Sequence, residues 1–177
     1  MVNHSQIKVI KVKKKNYKKL KQFIKNSTIV VNMKTAIIYA SIHHKNTKKI
    51  LDAMCEVKDI DLYTIPEAKN ADFSTYDVIG FASGIYYSKF HKAIEKLAGN
   101  IDLSGKKVFT VYSCGFNPID YSKSIQKTIK SQECEYIGGF SCRGYDTFGP
   151  FKIIGGISKG HPNEKDLNKA REFIKKI

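Results

Sequence analysis

Short, continuous apolar runs alternate along this chain with longer stretches whose apolar residues recur every three to four positions. The runs read as strands at about 35–40, 60–65, 77–82, 107–112 and 135–140, the clearest being Val78-Ile79-Gly80-Phe81-Ala82. The stretches read as helices at about 46–56, 88–98, 119–131 and 164–176. Ile50, Leu51 and Met54 share one face of the first, and Pro118 falls at the first turn of the third. Residues 67–75 are a polar connection with room for one turn of helix. Strands that are apolar throughout are buried on both faces, so helices must cover both sides of a parallel sheet. Right-handed crossovers then predict an α/β fold with a doubly wound, five-stranded parallel sheet in the order 2-1-3-4-5.

In such a sheet ligands bind beyond the carboxyl ends of the strands, where the strand order reverses. That point lies between strands 1 and 3. The loops leaving strands 1, 3 and 4 are Ser41-Ile42-His43-His44-Lys45-Asn46-Thr47, Ser83 to Ser88, and Ser113-Cys114-Gly115-Phe116-Asn117-Pro118. The first lacks the glycines of the dinucleotide and Walker patterns, so neither cofactor class is supported. A monophosphate held by hydroxyls, backbone N–H groups and a helix dipole fits it better. Asn46 and Thr47 can cap the helix in the same arrangement. Lys45 and Lys48 either attract the anion or are solvated charges. His43 and His44 have no carboxylate nearby in sequence and read as loop scaffolding. Tyr86, Tyr87 and Phe116 could offer faces to a planar ring, or could pack the neighbouring helix. Cys114 has no paired base and reads as a small residue packed beside a ligand.

Composition narrows the picture further. With 177 residues, 42% hydrophobic and 27% charged, the chain is expected to be one soluble domain. Its longest apolar runs are about five residues, far short of a membrane helix. No signal-peptide pattern follows the basic start. Cys55, Cys114, Cys134 and Cys142 form no C-x-x-C pair, which suits reduced thiols in a cytoplasmic protein, and no zinc-like clustering with the histidines is evident. The net charge is +15, and residues 1–32 carry nine lysines and no acid. Residues 33–177 carry 22 basic and 16 acidic residues, or +6. Arginine occurs only at 143 and 171, so the lysine excess reads as coding bias rather than a specific nucleic-acid surface. Residues 1–32, with a weak strand pattern at 7–12 and a stripe of Tyr17, Leu20, Phe23 and Ile24, read as a tail or a misassigned start upstream of Met33.

From Met33 to the end, about 145 of 177 residues, the chain resembles the flavodoxin family. The S/T-rich loop ending in Asn46-Thr47 carries the resemblance, with Phe81-Ala82-Ser83-Gly84-Ile85-Tyr86-Tyr87 and Tyr112-Ser113-Cys114-Gly115 falling where the family's two ring-binding loops fall. The Gly155-Gly156 and Lys159-Gly160-His161-Pro162-Asn163 stretch looks like a short, single-domain bacterial or archaeal subgroup. The resemblance implies noncovalent FMN, one-electron transfer through semiquinone and hydroquinone states, and redox partner proteins, a reductase and an electron acceptor. It implies that Ser41, His43, Lys45, Asn46 and Thr47 hold the phosphate. Ser83, Gly84, Ile85, Tyr86 and Tyr87, with Ser113, Cys114, Gly115 and Phe116, would line the flavin ring.

Two departures stand out. Most of the family is acidic, whereas this domain is basic; lysines clustered near the ring would raise its potential. The segment 142–163 is also long for a connection, and could cover the flavin edge, dock a partner or pack under the last helix. A reductase of a quinone, another small oxidant or an oxidised porphyrin precursor is the alternative on the same fold. A ligand-free regulatory module is a third reading, its basic N-terminus contacting nucleic acid or an anionic membrane.

Overall fold

A computed structural model describes residues 33–116 and 118–177. The extension 1–32, with its strand and helix patterns, lies outside the described residues. Residues 33–177 form one compact unit. Its strands are β1 (Thr35–Ala40), β2 (Asp61–Thr64), β3 (Val78–Tyr86), β4 (Lys89–Phe90), β5 (Lys107–Cys114) and β6 (Glu135–Arg143). Its helices are α1 (Asn46–Cys55), α2 (Ile65–Ala68), α3 (Lys92–Asn100), α4 (Lys123–Lys130) and α5 (Glu164–Ile174).

Five parallel strands pair in the order β2-β1-β3-β5-β6, which is the predicted 2-1-3-4-5 once β4 is set aside. β4 is a two-residue antiparallel partner folded back on the end of β3. Adjacent residues of the central strands point to opposite faces. Ile38, Ile79, Phe81 and Val108 therefore pack with Ile94, Leu97, Ile125 and Ile129 of α3 and α4. Ile37, Val78, Phe109 and Val111 pack with Ile50, Leu51, Met54, Ala170 and Ile174 of α1 and α5. Burying each such side chain contributes about 1.5–3 kcal/mol of transfer free energy, so two half-cores hold the sheet between them.

Several boundaries differ from the sequence reading, each for a local reason. α3 begins at Lys92, not near 88, because Ser88 to Phe90 complete a hairpin and His91 takes the capping position, its Nδ1 accepting the Ala93 N–H at 3.2 Å. α4 begins at Lys123, so Pro118 precedes the helix rather than opening it. β3 and β6 run to Tyr86 and Arg143, several residues past the continuous apolar runs, because neighbouring strands continue the ladder. The turn between β2 and β3 begins with α2, held by a capping box in which the Glu67 carboxylate accepts the Thr64 N–H at 2.7 Å. These changes lengthen the strand ends where β1, β3 and β5 open toward one cavity.

Candidate functional site

α1 starts abruptly. His44 and Lys45 both adopt left-handed backbone angles, which turns the chain sharply from β1 into the helix. The first N–H groups of a helix have no partner inside it. Here the Lys48 N–H donates to Ser41 Oγ at 3.1 Å and the Lys49 N–H to the Lys45 carbonyl at 2.9 Å. The N–H groups of Asn46 and Thr47 remain at the mouth of the turn, beside a Ser41 hydroxyl whose own proton is available to donate. No acidic side chain occupies the first turn of α1. The result is an anion cradle at a helix N-terminus.

Thr47 is buried and shares a hydrogen bond with Ser113, Oγ1 to Oγ at 3.0 Å. That contact joins the loop after β1 to the end of β5. A cavity of about 360 Å³ opens between them. Of the sequence-derived site residues, Ser41, His43, Asn46 and Thr47 line it, as do Gly84, Ile85, Tyr86, Tyr87, Ser113, Cys114, Gly115 and Phe116. Lys45 and Ser83 do not. Lys45 is exposed at the helix cap. Ser83 is fully buried, its hydroxyl donating to the Gly84 carbonyl and accepting the His91 N–H at 2.9 Å, so it fixes the β3–β4 hairpin instead.

Sequence reasoning missed one wall. Gly144, Tyr145, Asp146, Phe148 and Phe151 also line the cavity, with Ile42, Ser88 and Tyr121. Residues 144–157 form a strap laid across the loops after β1 and β5. The Asn46 amide donates to the Tyr145 carbonyl at 2.7 Å, and the His44 ring lies 4.5 Å from that of Tyr145, with its Nε2 2.8 Å from Thr147 Oγ1. The Gly144 N–H donates to the Cys114 carbonyl at 2.9 Å, and Ser158 Oγ to the Gly115 carbonyl at 2.7 Å. Asp146 and Ile157 exchange both backbone hydrogen bonds, which closes the strap on itself. The only early sign of this wall was the length and glycine content of the segment.

Two glycines allow the close approach. A Cβ on Gly115 would fall 2.6 Å from Asp146 Cβ, and one on Gly144 would fall 2.7 Å from Asn46 Nδ2. Opposite them, Tyr87 and Phe148 meet edge to face with centroids 5.4 Å apart, and Tyr87 is 84% exposed. His43 is exposed, and its ring centroid lies 6.0 Å from that of Tyr86.

The electrostatics of the cavity differ from the composition. No lysine lines it; its one carboxylate is Asp146. Lys45, Lys89 and Lys152 stand on the same connections without lining the cavity. Burial pushes the Cys114 thiol up to about 12, with the Asp146 charge adding to the effect. Burial likewise raises the Tyr86 phenol. Cys114 is thus a protonated, buried packing group, not a nucleophile. Asn46 is 7% exposed, and its buried Oδ1 has no hydrogen-bond partner among the described residues.

Residues 36–142 match the Flavodoxin domain family. The chain belongs to the flavodoxin family. It is 43% identical over 147 residues to the uncharacterized protein MJ0298 of Methanocaldococcus jannaschii, covering 82% of this chain and 98% of that one. Among solved structures it resembles the oxidised Flavodoxin 2 of Bacillus cereus, at 20% identity and a TM-score of 0.59, covering 80% of this chain and 94% of that one. It also resembles a flavodoxin from the domain Archaea, at 16% identity, a TM-score of 0.53 and the same coverage. A flavodoxin is a flavin-binding redox protein, and the cavity suits such a cofactor. Its anion cradle at one end and its aromatic, glycine-lined end fit such a group.

No helix among the described residues is long and apolar enough to cross a membrane.

Proposed function

We propose that this flavodoxin binds FMN noncovalently and carries single electrons between redox partner proteins in the cytoplasm. The observation that supports this reading is the joining of the anion cradle to the aromatic cavity by the Thr47–Ser113 hydrogen bond. One ligand carrying a phosphate at one end and a flat ring at the other fits both halves. Ser41 and the N–H groups of Asn46 and Thr47 would hold the phosphate. Tyr86, Tyr87 and Phe148 would border the ring, and Gly115 would let backbone approach it. Bound flavin supplies reversible electron storage; the protein around it supplies no acid or base chemistry. Cys114 holds its proton, and His43 stands on the rim without a carboxylate partner among its hydrogen bonds.

A second reading, a flavin-dependent reductase of a small oxidant, draws on the strap. Phe148 and Phe151 give the cavity an aromatic wall beyond the loops after β1, β3 and β5. A planar substrate such as a quinone could stack there.

The first test is the purified protein itself. A yellow solution that releases FMN on denaturation is expected. A colourless protein that also refuses added FMN would sink both readings. Steady-state assays with NAD(P)H and a quinone then separate them, a carrier showing little turnover of its own.

A further inference from the structure

Charge and apolar surface are both polarised along the strand axis. Among the described residues, every large hydrophobic side chain that is strongly exposed lies on the connections leaving the carboxyl ends of the strands. Ile42 follows β1, Tyr87 follows β3, and Phe116 and Ile119 follow β5. Phe148, Ile153 and Ile154 sit on the strap, with Ile153 88% exposed. Folded monomers seldom gather such residues on one face unless something covers it.

The same connections, residues 41–45, 87–91, 115–122 and 143–163, carry five basic residues and two acids. Lys45, Lys89, Arg143, Lys152 and Lys159 are all exposed, and none belongs to an ion pair among the described residues. At the opposite end, residues 33–34, 56–60, 69–77, 101–106, 131–134 and 175–177 carry six acids and six lysines, a neutral balance. The connections around the apolar face are therefore net positive, and the opposite end is not.

We propose that this face docks an acidic protein whose contact surface has an apolar centre bordered by carboxylates. The redox character of that partner rests on the flavin reading above; the chemistry of the contact does not. An apolar centre with a charged rim is the usual anatomy of a transient interface, and complementary rims speed encounter. A second copy of this chain would set lysine against lysine. A membrane surface would match the charge, but the apolar residues surround a cavity mouth on four separate connections instead of forming one amphipathic helix.

The test uses the full chain and isothermal titration calorimetry against two probes, a small acidic iron–sulfur protein and a basic c-type cytochrome. Binding to the acidic probe is expected, weakening as salt rises. Ile153→Ser with Ile154→Ser should weaken it at least about tenfold without changing charge, which separates the face from general attraction to the basic N-terminal segment. Lys89→Glu with Lys152→Glu should weaken it by a similar factor, while Lys69→Glu with Lys96→Glu on other surfaces should leave it unchanged. Equal binding of the cytochrome, or no effect of the face variants, would overturn the proposal. So would self-association abolished by the Ile153 and Ile154 changes, or tighter sedimentation with vesicles of phosphatidylserine and phosphatidylcholine that the same changes abolish. FMN content and uptake are measured alongside; protein that holds no FMN, refuses added FMN and still binds the acidic probe through this face would defeat the cofactor reading and leave this one standing.

Discussion

The side-chain amide of Asn46 donates to the backbone carbonyl of Tyr145 at 2.7 Å, linking positions 99 residues apart. One residue thereby serves the first turn of α1 and the strap at once. Its nitrogen is committed to Tyr145, and its oxygen is buried without a partner among the described residues. The contribution of Asn46 to cofactor binding would come through its backbone N–H.

Asn46→Ala removes the bridge and leaves the Tyr145 carbonyl without its donor. A loss of about 1–3 kcal/mol is expected in the stability of the strap. Hydrogen exchange at residues 145–157 should quicken, with the amides of β1 and β5 little changed. Uniform exchange rates across wild type and variant would show that the bridge carries no stability.

Gly115→Ala tests the close approach of strap and β5 loop. The new Cβ would lie 2.6 Å from Asp146 Cβ and 2.8 Å from Ile157 Cδ1, both on the same segment. Overpacking of this kind costs about 1–3 kcal/mol. Urea unfolding should show that loss, and fluorescence titration should show weaker uptake of FMN. Unchanged values for both would mean that the strap shifts freely.

Asp146→Asn removes the one carboxylate that lines the cavity. A negative charge beside the ring opposes the charge gained on reduction, so its removal should raise the midpoint potential of the bound flavin by roughly tens of millivolts. Potentiometric titration reads this directly. A lower potential in the variant would reverse the sign of the argument.

The two most buried thiols give a pH prediction. Burial raises Cys114 and Cys142 from their ordinary 9.0 to about 12 in the folded protein. The folded state keeps these protons where the unfolded chain has lost them. Their contribution is complete below pH 9 and disappears as pH rises toward 12. Urea midpoints should fall across that window, and fall less in Cys142→Ala after correction for its lower baseline. At pH 8 iodoacetamide should spare both thiols in the native protein and label them in urea.

The apolar runs made the sheet legible, because a strand buried on both faces leaves an unbroken signature such as Val78 to Ala82. The loop from Ser41 to Thr47 was legible for a related reason: a polar break between strand and helix has few uses. Ser83 does not line the cavity because its hydroxyl is spent inside the hairpin, a bond that sequence spacing does not reveal. Lys45 is exposed at the left-handed turn and does not line it either. Tyr145 and Asp146 lie in the segment 142–163, for which covering the flavin edge is one of three alternatives with no residue to choose between them. They enter the site through pairing with Asn46 and Ile157, and no local periodicity marks a segment that folds back across other loops.

The strap also bears on how long a molecule survives in a cell. It holds Lys152, and Lys159 follows just beyond it, both exposed, on backbone fastened mainly by contacts to the loops around the cavity. A ligand that orders those loops would order the strap and withhold these sites from proteases. Limited trypsin digestion should cut at Lys152 more slowly in the presence of saturating FMN, and equal rates would break the link. Supply of the cofactor would then set the abundance of the protein as well as its activity, because molecules without it would be degraded first.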